Sequence, residues 1–171
     1  MVYIGIGSNL GNRLYFVESA IEKIDSDPGC EAEKISSLYE SKPFGSTEQE
    51  NFINLVILIK TFYTPAALFN FLKQIESEMG RKNSTRWGPR KIDLDILFYN
   101  DLIYSGPQLT IPHKGITERD FVLVPMCEIA PDFIHPELNE KICDICKVEL
   151  EKNIINKIPQ NILLNERFNC K

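Results

Sequence analysis

Two aspartates one residue apart, Asp93 and Asp95, close a basic run in Arg86-Trp87-Gly88-Pro89-Arg90-Lys91-Ile92-Asp93-Leu94-Asp95-Ile96-Leu97. Residues two apart on a strand share a face, so the two carboxylates would project side by side with Cβ atoms about 7 Å apart. Ile92, Leu94 and Ile96 would enter the core from the opposite face. Neighbouring carboxylates repel unless a positive charge sits over them. A hard divalent cation, Mg²⁺ above all, suits two such oxygen ligands supplemented by phosphate oxygens. The plain alternative is the solvated face of an exposed strand. Arg81, Lys82, Arg86, Arg90 and Lys91 crowd into eleven positions just before or within this segment. Carboxylates to hold a metal and guanidinium forks to hold phosphate oxygens are what a metal–polyphosphate complex needs. Together they point to a nucleotide triphosphate site.

Other segments carry weaker signals. Gly5-Ile6-Gly7-Ser8-Asn9-Leu10 misses the dinucleotide fingerprint, because Leu10 stands at the third glycine position, and no Gly-Lys-Ser/Thr makes it a phosphate-binding loop. Its glycines equally suit a strand end that a ligand or neighbouring strand approaches closely. His113 lies in a loop and alone signals little. Arg119 and Phe121 fit either a phosphate ligand beside a stacking platform or a helix start whose Phe enters the core. Phe52 and Asn54 share one side of a strand, where a ring and an amide fork could hold a flat heterocycle. They also fit a core Phe beside a strand-edge Asn.

The elements that must position these residues follow from periodicity and punctuation. Val2 to Gly7 reads as a strand, and Leu14, Val17, Ile21 and Ile24 mark a helix capped by Asn12 and stopped by Asp27-Pro28-Gly29. Glu33 to Tyr39 is a weak strand candidate, and Ser41 to Glu50 a long loop. Phe52 to Phe62 has the apolar, β-branched character of a central strand. Thr64-Pro65 opens a second helix, striped by Leu68, Leu72, Ile75 and Met79 and ended by Gly80. After a polar loop from Arg81 to Pro89, Lys91 to Tyr99 alternates as a strand, which Asn100-Asp101 can turn into a hairpin with Leu102 to Tyr104. Pro112 to Thr117 is a further loop. Phe121 to Ile129 is helical in pattern, with Pro125 expected to kink or split it. The expected fold is α+β and ferredoxin-like: β-α-β-β-α-β with one mostly antiparallel sheet, helices on one face, an added hairpin strand and a C-terminal helical extension. Residues 1–147 are expected to form one domain, with 148–171 a tail of unknown role.

Composition narrows the partners. The 171 residues carry 19 Lys+Arg against 24 Asp+Glu, a net charge of −5, with 43% hydrophobic residues. Such a chain supports a core and is a poor generic ligand for nucleic acid or anionic lipid. No apolar run approaches a membrane span, and the first residues lack the basic and small-residue marks of a signal peptide. Five cysteines, an odd number, favour reduced thiols and a cytoplasmic setting. Cys143 and Cys146 have the spacing of half a zinc site or of a redox pair, but with no matching second Cys or His pair they read better as two positions on one face of a helix.

The twelve-residue run from Arg86 to Leu97 resembles the signature of the 6-hydroxymethyl-7,8-dihydropterin pyrophosphokinases of folate biosynthesis. So do Gly5 to Gly11, Ser41-Lys42-Pro43-Phe44-Gly45, Phe52-Ile53-Asn54, Ile75-Glu76, Gly80-Arg81, Pro112-His113 and Arg119-Asp120-Phe121, in order and spacing over about residues 1–147. The resemblance implies transfer of pyrophosphate from ATP to the pterin hydroxymethyl group with release of AMP. It implies a catalytic set of Arg81, Arg90, Asp93 and Asp95, with both aspartates ligating two Mg²⁺ ions. It implies a pterin site of Ser41, Lys42, Phe44, Phe52, Asn54, Asp95 and Phe121, the two rings of Phe52 and Phe121 sandwiching the heterocycle. ATP would meet Glu76, Arg81, Trp87, Arg90, Ile96, Thr110, His113 and Arg119. Asn83, Gln108 and Lys114 depart from the family pattern near the nucleotide. The expected partners are therefore ATP and the pterin alone, bound by a monomer, without nucleic acid or membrane. A non-catalytic nucleotide- or pterin-binding module on the same fold is the alternative.

Overall fold

The computed structural model describes residues 1–45, 48–80, 88–147 and 151–158. Strand β1 (Val2–Ser8) leads into helix α1 (Arg13–Asp25), whose start is fixed by Asn12 Oδ1 accepting from Tyr15 N at 3.2 Å. Strands β2 (Cys30–Ile35) and β3 (Leu38–Ser41) precede the long β4 (Phe52–Thr61). Helix α2 (Pro65–Glu78) begins with the Thr64 hydroxyl accepting from Ala67 N and proline at its first position. Gly80, at φ +80°, ends it in a left-handed conformation that suits glycine. Then come β5 (Asp93–Tyr99), the short β6 (Tyr104–Ser105) and β7 (Thr110–Ile111), α3 (Asp120–Ile129), α4 (Ile142–Ile145) and β8 (Ile154–Ile158).

The main sheet runs β5-β1-β4-β3-β8, with β2 also on β4, and its pairings are antiparallel. β4 is central because nearly every position along it is buried, as its β-branched run requires. Ile4, Leu55, Ile57 and Leu94 pack on one face against α1 and α2, whose Val17, Ile21, Leu68 and Leu72 are fully or almost fully buried. Tyr3, Val56, Leu58 and Phe98 pack on the other face against Leu123, Met126 and Ile142.

The α+β, ferredoxin-like expectation therefore holds, with local corrections. The weak strand Glu33–Tyr39 is two strands, β2 and β3, broken at Ser36-Ser37. The ladder survives the break because the Ser36 hydroxyl accepts from Val56 N at 2.9 Å while Ser36 N donates to Val56 O. The Asn100-Asp101 turn forms, but the returning chain does not join β5. Instead β6 pairs with β7, closed locally by Gly106 N donating to Leu109 O, and this is the added hairpin. Helices are not confined to one face, since α3 and α4 cover half of the second. That cover also breaks the strict alternation of β5. A bulge lets Tyr3 pair with Phe98 and Ile4 with Ile96, so Leu97 and Phe98 are both buried. Finally, Pro125 sits inside one uninterrupted α3, which with α4 forms the helical extension, and the described part of the tail adds a strand, β8.

Candidate active site

The site is built on the uncovered half of the second sheet face, at the ends of β1, β4 and β5. In the register across these strands, Gly7 pairs with Asp93 on one side and Asn54 on the other, and Gly5 pairs with Asp95 and Val56. Directly paired residues share a face. Asp93 and Asp95 therefore stand on the same side of the sheet as Asn54, two strands and about 10 Å away, with glycines between. No side chain rises from the middle strand. The two glycines of β1 thus clear the floor of a trough, the second of the readings their spacing allowed. A Cβ at Gly7 would sit 3.0 Å from Asn54 Oδ1, and one at Gly5 3.3 Å from Leu97.

A cavity of about 330 Å³ fills this trough. Its walls include the whole expected pterin set: Ser41, Lys42, Phe44, Phe52, Asn54 and Phe121, with Asp95. Asn54 Nδ2 donates to Ser41 Oγ at 2.8 Å, which fixes the amide with Oδ1 toward Gly7. Phe44 reaches from the loop after β3 to meet Phe121 edge-on, with ring centroids 6.2 Å apart. The Arg119 guanidinium lies 5.2 Å from the Phe44 ring centroid, and that of Arg90 lies 6.0 Å from Phe52.

The polyphosphate candidates converge in part. Arg90, Asp93, Asp95, His113 and Arg119 line the same cavity. Arg90 Nη1 donates to Asp93 Oδ2 at 2.5 Å. Burial first, and the Arg119 charge after it, push the His113 imidazole below its usual pKa, against the opposing pull of Asp95. Gly115 N donates to His113 Nδ1 at 3.2 Å, so the neutral ring carries its proton on Nε2. Glu76, Ile96 and Thr110 do not line this cavity. Glu76 is buried beneath β5, where its Oε1 accepts from Leu94 N at 2.7 Å and from Lys73 Nζ at 2.8 Å. Ile96 is in the core, and Thr110 lines a neighbouring pocket that shares the His113 wall. Arg81 and Trp87, with Lys82 and Arg86, lie outside the described residues.

Three polar residues of the site, Lys73, Asn9 and the cavity-lining Gln49, were not singled out from sequence. Lys73 of α2 lines the cavity, 3.8 Å from Asp95 Oδ1, and its Nζ also donates to Leu94 O at 3.0 Å. Its three-residue spacing from Glu76 was visible, but its reach across to β5 depends on how α2 packs. Asn9, almost wholly buried, accepts from Arg90 N at 2.7 Å through Oδ1 and donates to Gln49 Oε1 at 3.0 Å. It ties the loop after β1 to the segment carrying Arg90. The only sequence signal was its place in Gly7-Ser8-Asn9.

Asp93 and Asp95 supply hard oxygen donors on one face, beside cationic groups suited to phosphate. Among the described residues no group of three or more His, Cys, Asp or Glu is placed to hold a metal. The pair therefore suits an ion that completes its shell with water and substrate oxygens, as Mg²⁺ does.

Residues 3–131 match the family model of the 7,8-dihydro-6-hydroxymethylpterin-pyrophosphokinases. The chain is similar to the 2-amino-4-hydroxy-6-hydroxymethyldihydropteridine pyrophosphokinase of Aquifex aeolicus, 45% identical over 135 residues, which span 79% of this chain and 83% of the relative. It is also similar to a folic acid synthesis protein of Dictyostelium discoideum, 42% identical over 139 residues, which span 81% of this chain but 21% of that protein. In fold it resembles the wild-type HPPK-DHPS of Plasmodium falciparum crystallised with pteroate. That match has a TM-score of 0.68 and 17% identity over 85% of this chain and 41% of the other. The chain spans under half the length of these two larger proteins. A family match over most of the chain, and a close relative matched over most of its own length, place the chain in the 7,8-dihydro-6-hydroxymethylpterin-pyrophosphokinase family, the pyrophosphokinases of folate biosynthesis.

Proposed function

We propose that the chain transfers the β,γ-pyrophosphoryl group of ATP to the hydroxymethyl oxygen of 6-hydroxymethyl-7,8-dihydropterin and releases AMP. The observation that carries this reading is the row Asp93–Gly7–Asn54. It sets the carboxylates of Asp93 and Asp95 and the amide of Asn54 side by side over one glycine floor, which supports a polyphosphate half beside a heterocycle half.

In this reading Phe52 and Phe121 stack on the pterin faces, while Asn54, Ser41 and the loop residues Lys42 and Phe44 read its edge. Holding the ring there directs the hydroxymethyl group toward the carboxylates of β5. Arg90 and Arg119, with Arg81 before the signature run, bind phosphate oxygens, and Lys73 adds charge next to Asp95. Trp87, Glu76, Ile96 and Thr110 are assigned to the nucleotide, Glu76 through its hold on β5 rather than by contact with the cavity. Two Mg²⁺ ions would bind Asp93 and Asp95 together with ATP. When bound, they would neutralise phosphate charge and stabilise the departing AMP oxyanion. The chain's own work is to hold the attacking oxygen in line with the β-phosphorus and to exclude water. His113 is a donor in this scheme. With Nδ1 committed to Gly115 and Nε2 protonated, it offers a hydrogen bond to a phosphate oxygen and no basic lone pair.

All these assignments fall within residues 1–147, which we take as the catalytic domain, acting as a monomer in the cytoplasm. Among the described residues no helix is long and apolar enough to cross a membrane. The test is the nucleotide product. With ATP, Mg²⁺ and the reduced hydroxymethylpterin, AMP is expected in step with pterin consumption. ADP would mean a conventional γ-phosphoryl kinase. Binding of both ligands without product would leave only a binding module.

A further inference from the structure

Residues 151–158 contribute nothing to the cavity lining, yet they touch two of its walls. Asp120, the first residue of α3, lies between Arg119 and Phe121 and is 7% exposed. Its Oδ1 accepts from Phe121 N at 2.8 Å. Its Oδ2 accepts from Asn153 N at 2.7 Å and from Ile154 N at 2.8 Å. The carbonyl of the same Asn153 accepts from Lys42 N at 2.9 Å, and Ile154 then pairs with Ser41 as β8 begins. Two backbone groups of one buried residue thus join the helix start that carries Arg119 and Phe121 to the strand end that carries Ser41, Lys42 and Phe44.

An acidic residue in the first turn of a helix is ordinary, and the helix's own amides can satisfy it. Asp120 commits its second oxygen elsewhere, to a segment more than thirty residues away in sequence. A buried carboxylate must find donors, and here two of the three come from the tail. The wall it fastens is where Phe44 meets Phe121.

We propose that Asp120 is a positioning residue, latched by the backbone of Asn153 and Ile154, that sets the spacing between the Phe121 and Ser41–Phe44 walls of the pterin subsite. This rests on the assignment of that subsite above, and it gives the tail a role in the binding of the heterocycle without contact to it. ATP meets the latch only through Arg119, one of its several proposed phosphate ligands, so it should feel the latch less than the pterin does.

The experiment is calorimetric titration of the full chain and its variants with 6-hydroxymethyl-7,8-dihydropterin, in the presence of Mg²⁺ and α,β-methylene-ATP. The analogue is titrated separately. Asp120→Ala and Ile154→Pro, which remove the acceptor and one donor, should each weaken the pterin about tenfold and the analogue, which meets the latch through Arg119 alone, clearly less, by about threefold at most. The double variant should be no weaker than the worse single one, because both break the same latch. Pterin affinity within twofold of wild type in folded Asp120→Ala overturns the proposal. So does an equal loss for both ligands, or a double loss equal to the product of the singles. Should Asp120→Ala fail to fold, Asp120→Asn, which keeps one acceptor, decides: a pterin-selective loss supports the latch and an unselective or absent one overturns it. Failure of the wild-type chain itself to bind the pterin would instead overturn the subsite assignment.

Discussion

The guanidinium of Arg90 donates to the carboxylate of Asp93 at 2.5 Å, so a proposed phosphate ligand and a proposed metal ligand are each other's counter-ion. Arg90 also lies 6.0 Å from the Phe52 ring centroid, and its backbone amide is held by Asn9. It is therefore the joint between the proposed polyphosphate and heterocycle halves of the site. Metal and phosphate would have to divide this pair between them, each partner exchanging one opposite charge for another.

Arg90→Ala should lower turnover about 10²- to 10³-fold, the usual loss for removing one donor aimed at developing charge. Asp95→Asn, which removes half the charge of the carboxylate pair, should cost about as much and should raise the Mg²⁺ concentration needed for half-maximal rate. Neither change should unfold the protein, since partly exposed ion pairs contribute roughly 0–1 kcal/mol. AMP release measured alongside thermal melting checks this. Wild-type turnover in either variant would remove the corresponding assignment.

Gly7 offers a test that leaves the charges alone. A methyl group there would lie 3.0 Å from Asn54 Oδ1, closer than a Cβ comfortably approaches an oxygen. The amide would have to shift by a few tenths of an ångström, and Ser41 Oγ, bonded to Asn54 Nδ2 at 2.8 Å, resists that shift. Gly7→Ala should therefore raise the KM for the pterin several-fold while the KM for ATP stays within about twofold. Equal changes in both would mean that β1 moved as a whole and that Gly7 does not serve the pterin side selectively.

Much of this arrangement could be read along the chain, because it rests on local rules. Alternation placed Asp93 and Asp95 on one face, and Asn12, Thr64 and Gly80 marked helix ends by their own chemistry. What escaped was decided by packing between distant segments. The break at Ser36 depends on a hydroxyl replacing a ladder bond to Val56. Burial of Leu97 depends on helices that follow it by more than twenty residues. The strand Ile154–Ile158 has no apolar period of its own; it is an edge strand held by β3, Asp120 and the Lys157–Glu128 pair. Lys73 belongs to the site only because α2 lies against β5.

The chain's two histidines make its acid stability predictable in sign. Burial lowers the pKa of both His113 and His135 below their usual 6.5. Below that value the unfolded chain binds protons that the folded chain refuses, so stability falls as pH falls. For each histidine the slope is at most about 1.4 kcal/mol per pH unit. Glu128 extends the loss to lower pH. Burial works to raise its carboxyl, but hydrogen bonds from Ser37, Tyr39 and Lys157 outweigh it and hold the pKa below the ordinary 4.5. Its contribution is present above that value and disappears as pH drops through the lowered one. His135 is the simpler of the two to test: it packs against Phe98, its Nδ1 accepts from Glu137 N and Leu138 N, and the Glu137 carboxylate opposes burial without outweighing it. Asparagine places an oxygen where Nδ1 was and carries no titrating proton. Urea unfolding of His135→Asn between pH 7.5 and 5.5 should therefore show a shallower loss of stability than the unchanged protein, whatever its stability at pH 7.5. An identical slope would mean that His135 takes up its proton equally in both states.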